Sequence, residues 1–119
     1  AWHTYPHLER LESVRPFEQE ATKATQLYPP IETMCISPAF SHIFSGGYAA
    51  GYYSYKWSEV LDADAFEAFK EKGIFNTETA ERFRNEILSK GGSDKEMTLY
   101  KNFRGKEPSL EPLLKRLIN

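Results

Sequence analysis

Phe40-Ser-His-Ile-Phe-Ser-Gly-Gly-Tyr-Ala-Ala-Gly-Tyr-Tyr-Ser-Tyr-Lys-Trp57 packs one histidine, three glycines and four tyrosines into eighteen residues. The paired Gly46 and Gly47 permit backbone angles that other residues avoid, so a loop or hinge is expected there. Beyond them the pattern turns helical. At about 100° per residue from Tyr48, Tyr52 falls near +40° and Tyr55 near −20°, with Gly51 and Glu59 on the same side. Ala49, Tyr53, Trp57, Val60 and Leu61 fall opposite, on the expected core face. A phenol directed away from the core is a hydrogen-bond donor at neutral pH. By spacing alone such a stripe is more often packing or a half-exposed surface than a site, and a lone histidine such as His42 is usually structural. A helix starting a few residues later would leave Tyr48 in the glycine loop.

The surrounding chain reads as helical scaffold. Ser13 to Leu27 forms an expected helix, with Ser13 as N-cap, Pro16 in the first turn, and Phe17, Ala21, Ala24 and Leu27 at helical spacing. Tyr28-Pro29-Pro30 stops it. Residues 29–47 read as an extended connection with a short helical turn around 39–44, delivering His42 and the glycine pair. A long helix over 49–72 follows, with a kink or break expected near Asp62-Ala63-Asp64 and a stop at Gly73. Asn76 or Thr77 caps a helix over about 77–89 with Ala80, Phe83, Ile87 and Leu88 as its core stripe, closed by Gly91-Gly92. Ser93-Asp-Lys-Glu96 reads as a capping box. It opens a helix to about Phe103 with Met97, Tyr100 and Phe103 inward, and Gly105 ends it. Pro108 or Ser109 opens the last helix, with Leu110, Leu113, Leu114 and Leu117 inward. No strand pattern stands out. The expected fold is all-α, five or six helices with short loops in a single helical unit over 1–119.

Composition narrows the function classes. The 119 residues are 40% hydrophobic and 27% charged, ordinary for a soluble protein, and aromatics reach 14%. The net charge is −2, and basic residues interleave with acids, so no nucleic-acid footprint is expected. No apolar run approaches the roughly 18 residues of a membrane span. Cys35 is the single cysteine, which leaves no intrachain disulfide and fits a reducing, cytoplasmic compartment.

The run from His42 to Trp57 resembles a signature of the thimet-oligopeptidase-like zinc metallopeptidases. The similarity extends through Ser58-Glu-Val-Leu-Asp-Ala-Asp-Ala-Phe66, Gly73-Ile-Phe-Asn76, Ile87-Leu-Ser-Lys-Gly-Gly-Ser93 and Phe103-Arg-Gly-Lys-Glu-Pro108. It is nearest to the branch of oligopeptidase A and the peptidyl-dipeptidases. The resemblance implies hydrolysis of oligopeptides by zinc-activated water. It implies Tyr55 as the main oxyanion donor, His42 and Tyr48 as groups binding the substrate backbone, and Tyr52 as a residue lining the site. Gly46 and Gly47 would form the mobile loop that closes on the peptide. Residues 73–119 would be supporting helices.

One element of the family pattern is missing. No His-Glu-x-x-His occurs in the chain. His3 and His7 have the spacing without the glutamate, and Pro6 interrupts the turn. No metal ligand is therefore expected here. Zinc is expected on an upstream part of the same polypeptide, this chain being a C-terminal piece of a mostly helical catalytic domain, inactive by itself. The alternative is a freestanding, non-catalytic helical module that binds peptides or proteins through its tyrosines. The residues do not distinguish endo-acting cleavage from release of C-terminal dipeptides.

Overall fold

Every regular element among the described residues, 1–6 and 10–118 of a computed structural model, is helical. Five α-helices follow in order: α1 (Arg15–Thr22), α2 (Ser54–Lys72), α3 (Thr77–Phe83), α4 (Glu96–Arg104) and α5 (Glu111–Ile118). Two 3₁₀ turns, Trp2–Thr4 and Ser41–Ile43, and a π-helical turn over Arg84–Leu88 complete the set. The all-α expectation holds. Contacts within the chain gather into two compact units, Ala1–Tyr53 and Ser54–Asn119. His7 of the His3/His7 pair lies outside the described residues.

In the first unit, α1 is shorter than the spacing suggests. Pro16 occupies its first turn, but Val14 is the N-cap, and Ser13 Oγ accepts the Arg15 N–H at 3.4 Å instead of capping. The helix stops at Thr22 rather than Leu27, and there threonine hydroxyls bond back to carbonyls of the preceding turn. Thr22 Oγ1 donates to the Glu18 carbonyl at 2.9 Å and Thr25 Oγ1 to the Thr22 carbonyl at 3.0 Å. Leu27, expected in the core stripe, is exposed. Trp2, Tyr5 and Phe17 pack together, with the Trp2 and Phe17 ring centres 4.2 Å apart.

Glu18 ties α1 to the segment before His42. Its carboxylate accepts the Ile36 N–H at 2.9 Å, the Ser37 N–H at 2.7 Å, the Ser37 hydroxyl at 2.6 Å and the Cys35 thiol at 3.4 Å. The Ser37 hydroxyl and the Ile36 amide hold its pKa down at about 2, from an ordinary 4.5. A depressed carboxylate stabilises the fold above its unfolded pKa, and that contribution is lost as pH falls through the folded value. The 35–37 segment should therefore loosen between about pH 4.5 and pH 2. The Trp2 indole N–H, which donates to Ser37 Oγ at 2.9 Å, reports it by NMR. Its resonance should shift across that window in the wild type and lose the transition in Glu18→Gln. An indole signal unmoved down to pH 2 would show that Glu18 does not hold this segment.

In the second unit, α2 begins at Ser54, not at 49, and runs unbroken through Asp62-Ala63-Asp64. Its buried residues are Val60, Ala63, Asp64 and Ala68, one stripe at helical spacing. Val60 and Ala63 form a cluster with Leu113 of α5. Trp57, expected on the core face, is 47% exposed. No break occurs at Asp64 because its carboxylate has partners. It accepts the Tyr100 hydroxyl and lies 3.3 Å from Arg104 Nε, which also donates to the Asp64 carbonyl at 2.9 Å.

The later helices keep their expected stops and shift their starts and faces. Asn76 caps α3, accepting the Thr79 N–H at 2.9 Å, and Gly105 closes α4 in the left-handed region at φ +75°. The expected helix over 77–89 passes into the π turn, where the Ser89 N–H reaches the Arg84 carbonyl at 2.8 Å. The wider turn rotates the register, so Phe83 and Ile87 are half-buried while Ala80 and Leu88 are exposed. The capping box is absent. The Ser93 N–H still bonds the Lys90 carbonyl at 3.0 Å, closing the glycine turn, and α4 starts at Glu96 with Lys95 as N-cap. Leu99, Tyr100 and Phe103 are buried, and Phe103 meets Phe83 and Phe69 ring to ring. In α5 only Leu113 is buried, and Leu110, Leu114 and Leu117 are exposed.

Candidate active site

The loop that carries His42 is built from tight backbone turns. The Ile36 carbonyl accepts the N–H groups of Ala39 and Phe40 at 2.9 and 2.8 Å. The Ser41 carbonyl accepts those of Phe44 and Ser45 at 3.2 and 3.0 Å. This turn presents His42 on the surface. Gly46 and Gly47 then take positive φ, +69° and +77°, and Ala50 follows at +54°. Those angles bar an α-helix from starting at 49. The Tyr48 carbonyl accepts the Gly51 N–H at 2.7 Å, closing a turn.

Tyr48 and Tyr52 consequently stand in a loop, not on a shared helical face with Tyr55. The loop nevertheless brings three expected site residues together. The His42 ring lies 5.2 Å from that of Tyr48 and 5.8 Å from that of Tyr52, and the two tyrosines are 5.6 Å apart. Phe40 closes on Tyr52 edge-to-face at 4.7 Å and 78°. Edge-to-face pairs of this kind contribute about 0.5–1.5 kcal/mol beyond their buried area. The cluster is half open: Tyr48 is half-buried, Tyr52 is 42% exposed and His42 is exposed. It combines an imidazole with two phenols, a set able to donate to and accept from a peptide backbone.

Tyr55 belongs to the second unit, on the first turn of α2, where it is 51% exposed. Glu59, which the wheel placed beside the tyrosines, is taken by Lys56 Nζ at 2.9 and 3.1 Å. Sequence reasoning missed His3, whose Nε2 accepts the Ala50 N–H at 3.2 Å. Nothing local in the sequence announces that contact. Among the described residues no group of three or more His, Cys, Asp or Glu side chains could hold a metal ion. An apolar cavity of about 270 Å³ in the second unit, among Leu61, Phe83, Leu99 and Phe103, includes none of the expected site residues.

The two glycines are not equivalent. A Cβ on Gly46 would lie 3.3 Å from Tyr48 Cδ2 and 3.6 Å from His42 Cδ2, whereas one on Gly47 would meet nothing within 4 Å. Gly47→Ala should cost only backbone strain, about 1–2 kcal/mol of local loop stability. Gly46→Ala adds displacement of the Tyr48 ring. Tyr48 ring-proton shifts should move in Gly46→Ala and stay near wild type in Gly47→Ala. Equal responses would show that the ring does not pack against Gly46.

Comparison with known proteins identifies the family. Residues 2–118 match the family model described as peptidase family M3. The chain is 50% identical over 108 residues to organellar oligopeptidase A, chloroplastic/mitochondrial, of Arabidopsis thaliana, covering 87% of this chain and 14% of that protein. It is 63% identical over 76 residues to oligopeptidase A of Escherichia coli (strain K12), covering 64% of this chain and 11% of that protein. It is 42% identical over 114 residues to the dipeptidyl carboxypeptidase of Salmonella typhimurium (strain LT2), covering 95% of this chain and 17% of that protein. The chain thus spans between 11% and 17% of the length of these relatives. With a match running over nearly its whole length, the chain belongs to peptidase family M3.

Proposed function

We propose that this chain is the segment of a zinc-dependent oligopeptidase that holds the peptide substrate and stabilises the tetrahedral oxyanion. The packing of His42, Tyr48 and Tyr52 on one glycine-hinged loop carries the reading. His42 and Tyr48 bind the peptide backbone near the scissile bond, and Tyr52 lines the site. Tyr55 donates its phenolic O–H to the developing oxyanion, and the Gly46-Gly47 loop closes over the substrate. The described residues do not fit a zinc site, so the ion and its ligands are assigned to an upstream part of the polypeptide. When bound, zinc would supply the activated water. The exposed Leu110, Leu114, Leu117 and Ile118 are consistent with a face covered by that larger body.

Short fluorogenic peptides should not be cleaved by the 119 residues alone. They should be cleaved by the longer polypeptide in a chelator-sensitive manner. Chelator-sensitive cleavage by the chain alone would overturn this division of labour. A second reading, a non-catalytic module binding peptides or proteins, draws on the exposure of Tyr53 at 73%. Peptide binding without cleavage in the longest natural form of the protein would favour it.

A further inference from the structure

His3 belongs to none of the groups given a role above, yet it touches the loop that carries the aromatic cluster. Its Nε2 accepts the Ala50 N–H at 3.2 Å, and its ring meets Phe44 edge-on at 4.8 Å and 71°. Ala50 has φ +54°, a conformation that a residue with a Cβ avoids unless something holds it. The same 3₁₀ turn, Trp2–Thr4, makes a second attachment: Trp2 Nε1 donates to Ser37 Oγ, itself fixed by Glu18. One short turn therefore grips the chain on both sides of His42 and Tyr48, at Ser37 before them and at Ala50 after them.

We propose that His3 is a positioning residue whose neutral imidazole clamps the 46–51 loop through the Ala50 amide and keeps Tyr48 and Tyr52 against His42. The consequence for substrate rests on the peptidase reading, but the clamp itself does not. To accept the Ala50 N–H, Nε2 must carry a lone pair and the ring hydrogen must sit on Nδ1. A doubly protonated imidazole presents an N–H to another N–H and cannot accept. The charged side chain sharing a cavity with His3 is the Glu18 carboxylate of α1. Glu18 is held by its four donors and stays ionised at neutral pH.

Amide hydrogen exchange at Ala50, corrected for intrinsic rates, tests the clamp in wild type, His3→Ala and His3→Gln. A glutamine amide oxygen accepts hydrogen bonds at any pH. Protection should fall about tenfold from wild type to His3→Ala, the scale of one hydrogen bond. It should be retained in His3→Gln. A His3→Ala variant as protected as wild type, or a His3→Gln variant as unprotected as His3→Ala, would overturn the clamp. Should His3→Ala fail to fold, His3→Phe, which keeps a ring and lacks the acceptor, decides in its place. In the full-length peptidase, His3→Ala should raise KM up to about tenfold while His3→Gln stays near wild type. An intact clamp with an unmoved KM would overturn its part in substrate positioning, a result separable from failure of the clamp.

Discussion

Tyr55→Phe in the full-length peptidase is expected to lower kcat by about 10²–10³, with little change in KM. The substitution keeps the ring and removes one O–H. A donor aimed at charge that develops only in the transition state contributes about 2.7–4 kcal/mol there and little in the ground state. Tyr55 suits that role because it stands on the first turn of the 19-residue α2, a firmer base than a loop. Tyr48→Phe and Tyr52→Phe should act more through KM, since both rings sit in the loop cluster and keep their aromatic contacts. A Tyr55→Phe enzyme with unchanged kcat would remove Tyr55 from the oxyanion role.

Asp64→Ala should destabilise the chain by about 3 kcal/mol or more, the cost of breaking a buried pair from one side. The Asp64 and Arg104 side chains are 1% and 5% exposed. Without Asp64, the buried Tyr100 hydroxyl loses its acceptor, and Arg104 keeps Glu71, at 2.9 and 3.2 Å on the exposed rim. The same contacts mark the titration behaviour. Burial, then the bond to Asp64, pushes the Tyr100 phenol up, and the bond from Arg104 pulls Glu71 down. Asp64→Asn should cost less, because its amide oxygen can still accept from Tyr100. The urea midpoint of each variant measures this, and a loss below about 1 kcal/mol for Asp64→Ala would show that the network does not hold α4 to α2.

Features written in local chemistry were legible in the sequence. Asn76 caps because its side chain reaches an amide three residues on, and Gly105 stops α4 because only a left-handed residue fits there. The glycine pair marked a loop for the same reason. What stayed hidden depends on partners far along the chain. The start of α2 was misplaced because Ala50 is held at positive φ by His3, 47 residues away. Asp64 reads as a helix breaker until Tyr100, 36 residues on, satisfies it. The leucines of α5 show by periodicity which face is apolar, but periodicity does not say what covers it. The proposed site residues come from family resemblance, and the wheel that grouped Tyr48 and Tyr52 with Tyr55 on one helical face was wrong.

The first observation to make is the coding sequence upstream of Ala1. An in-frame His-Glu-x-x-His is expected there, which would make His42, Tyr48, Tyr52 and Tyr55 the substrate-side half of one zinc peptidase. A start codon immediately before Ala1, with no such motif, would contradict that assignment and leave a peptide-binding module in its place.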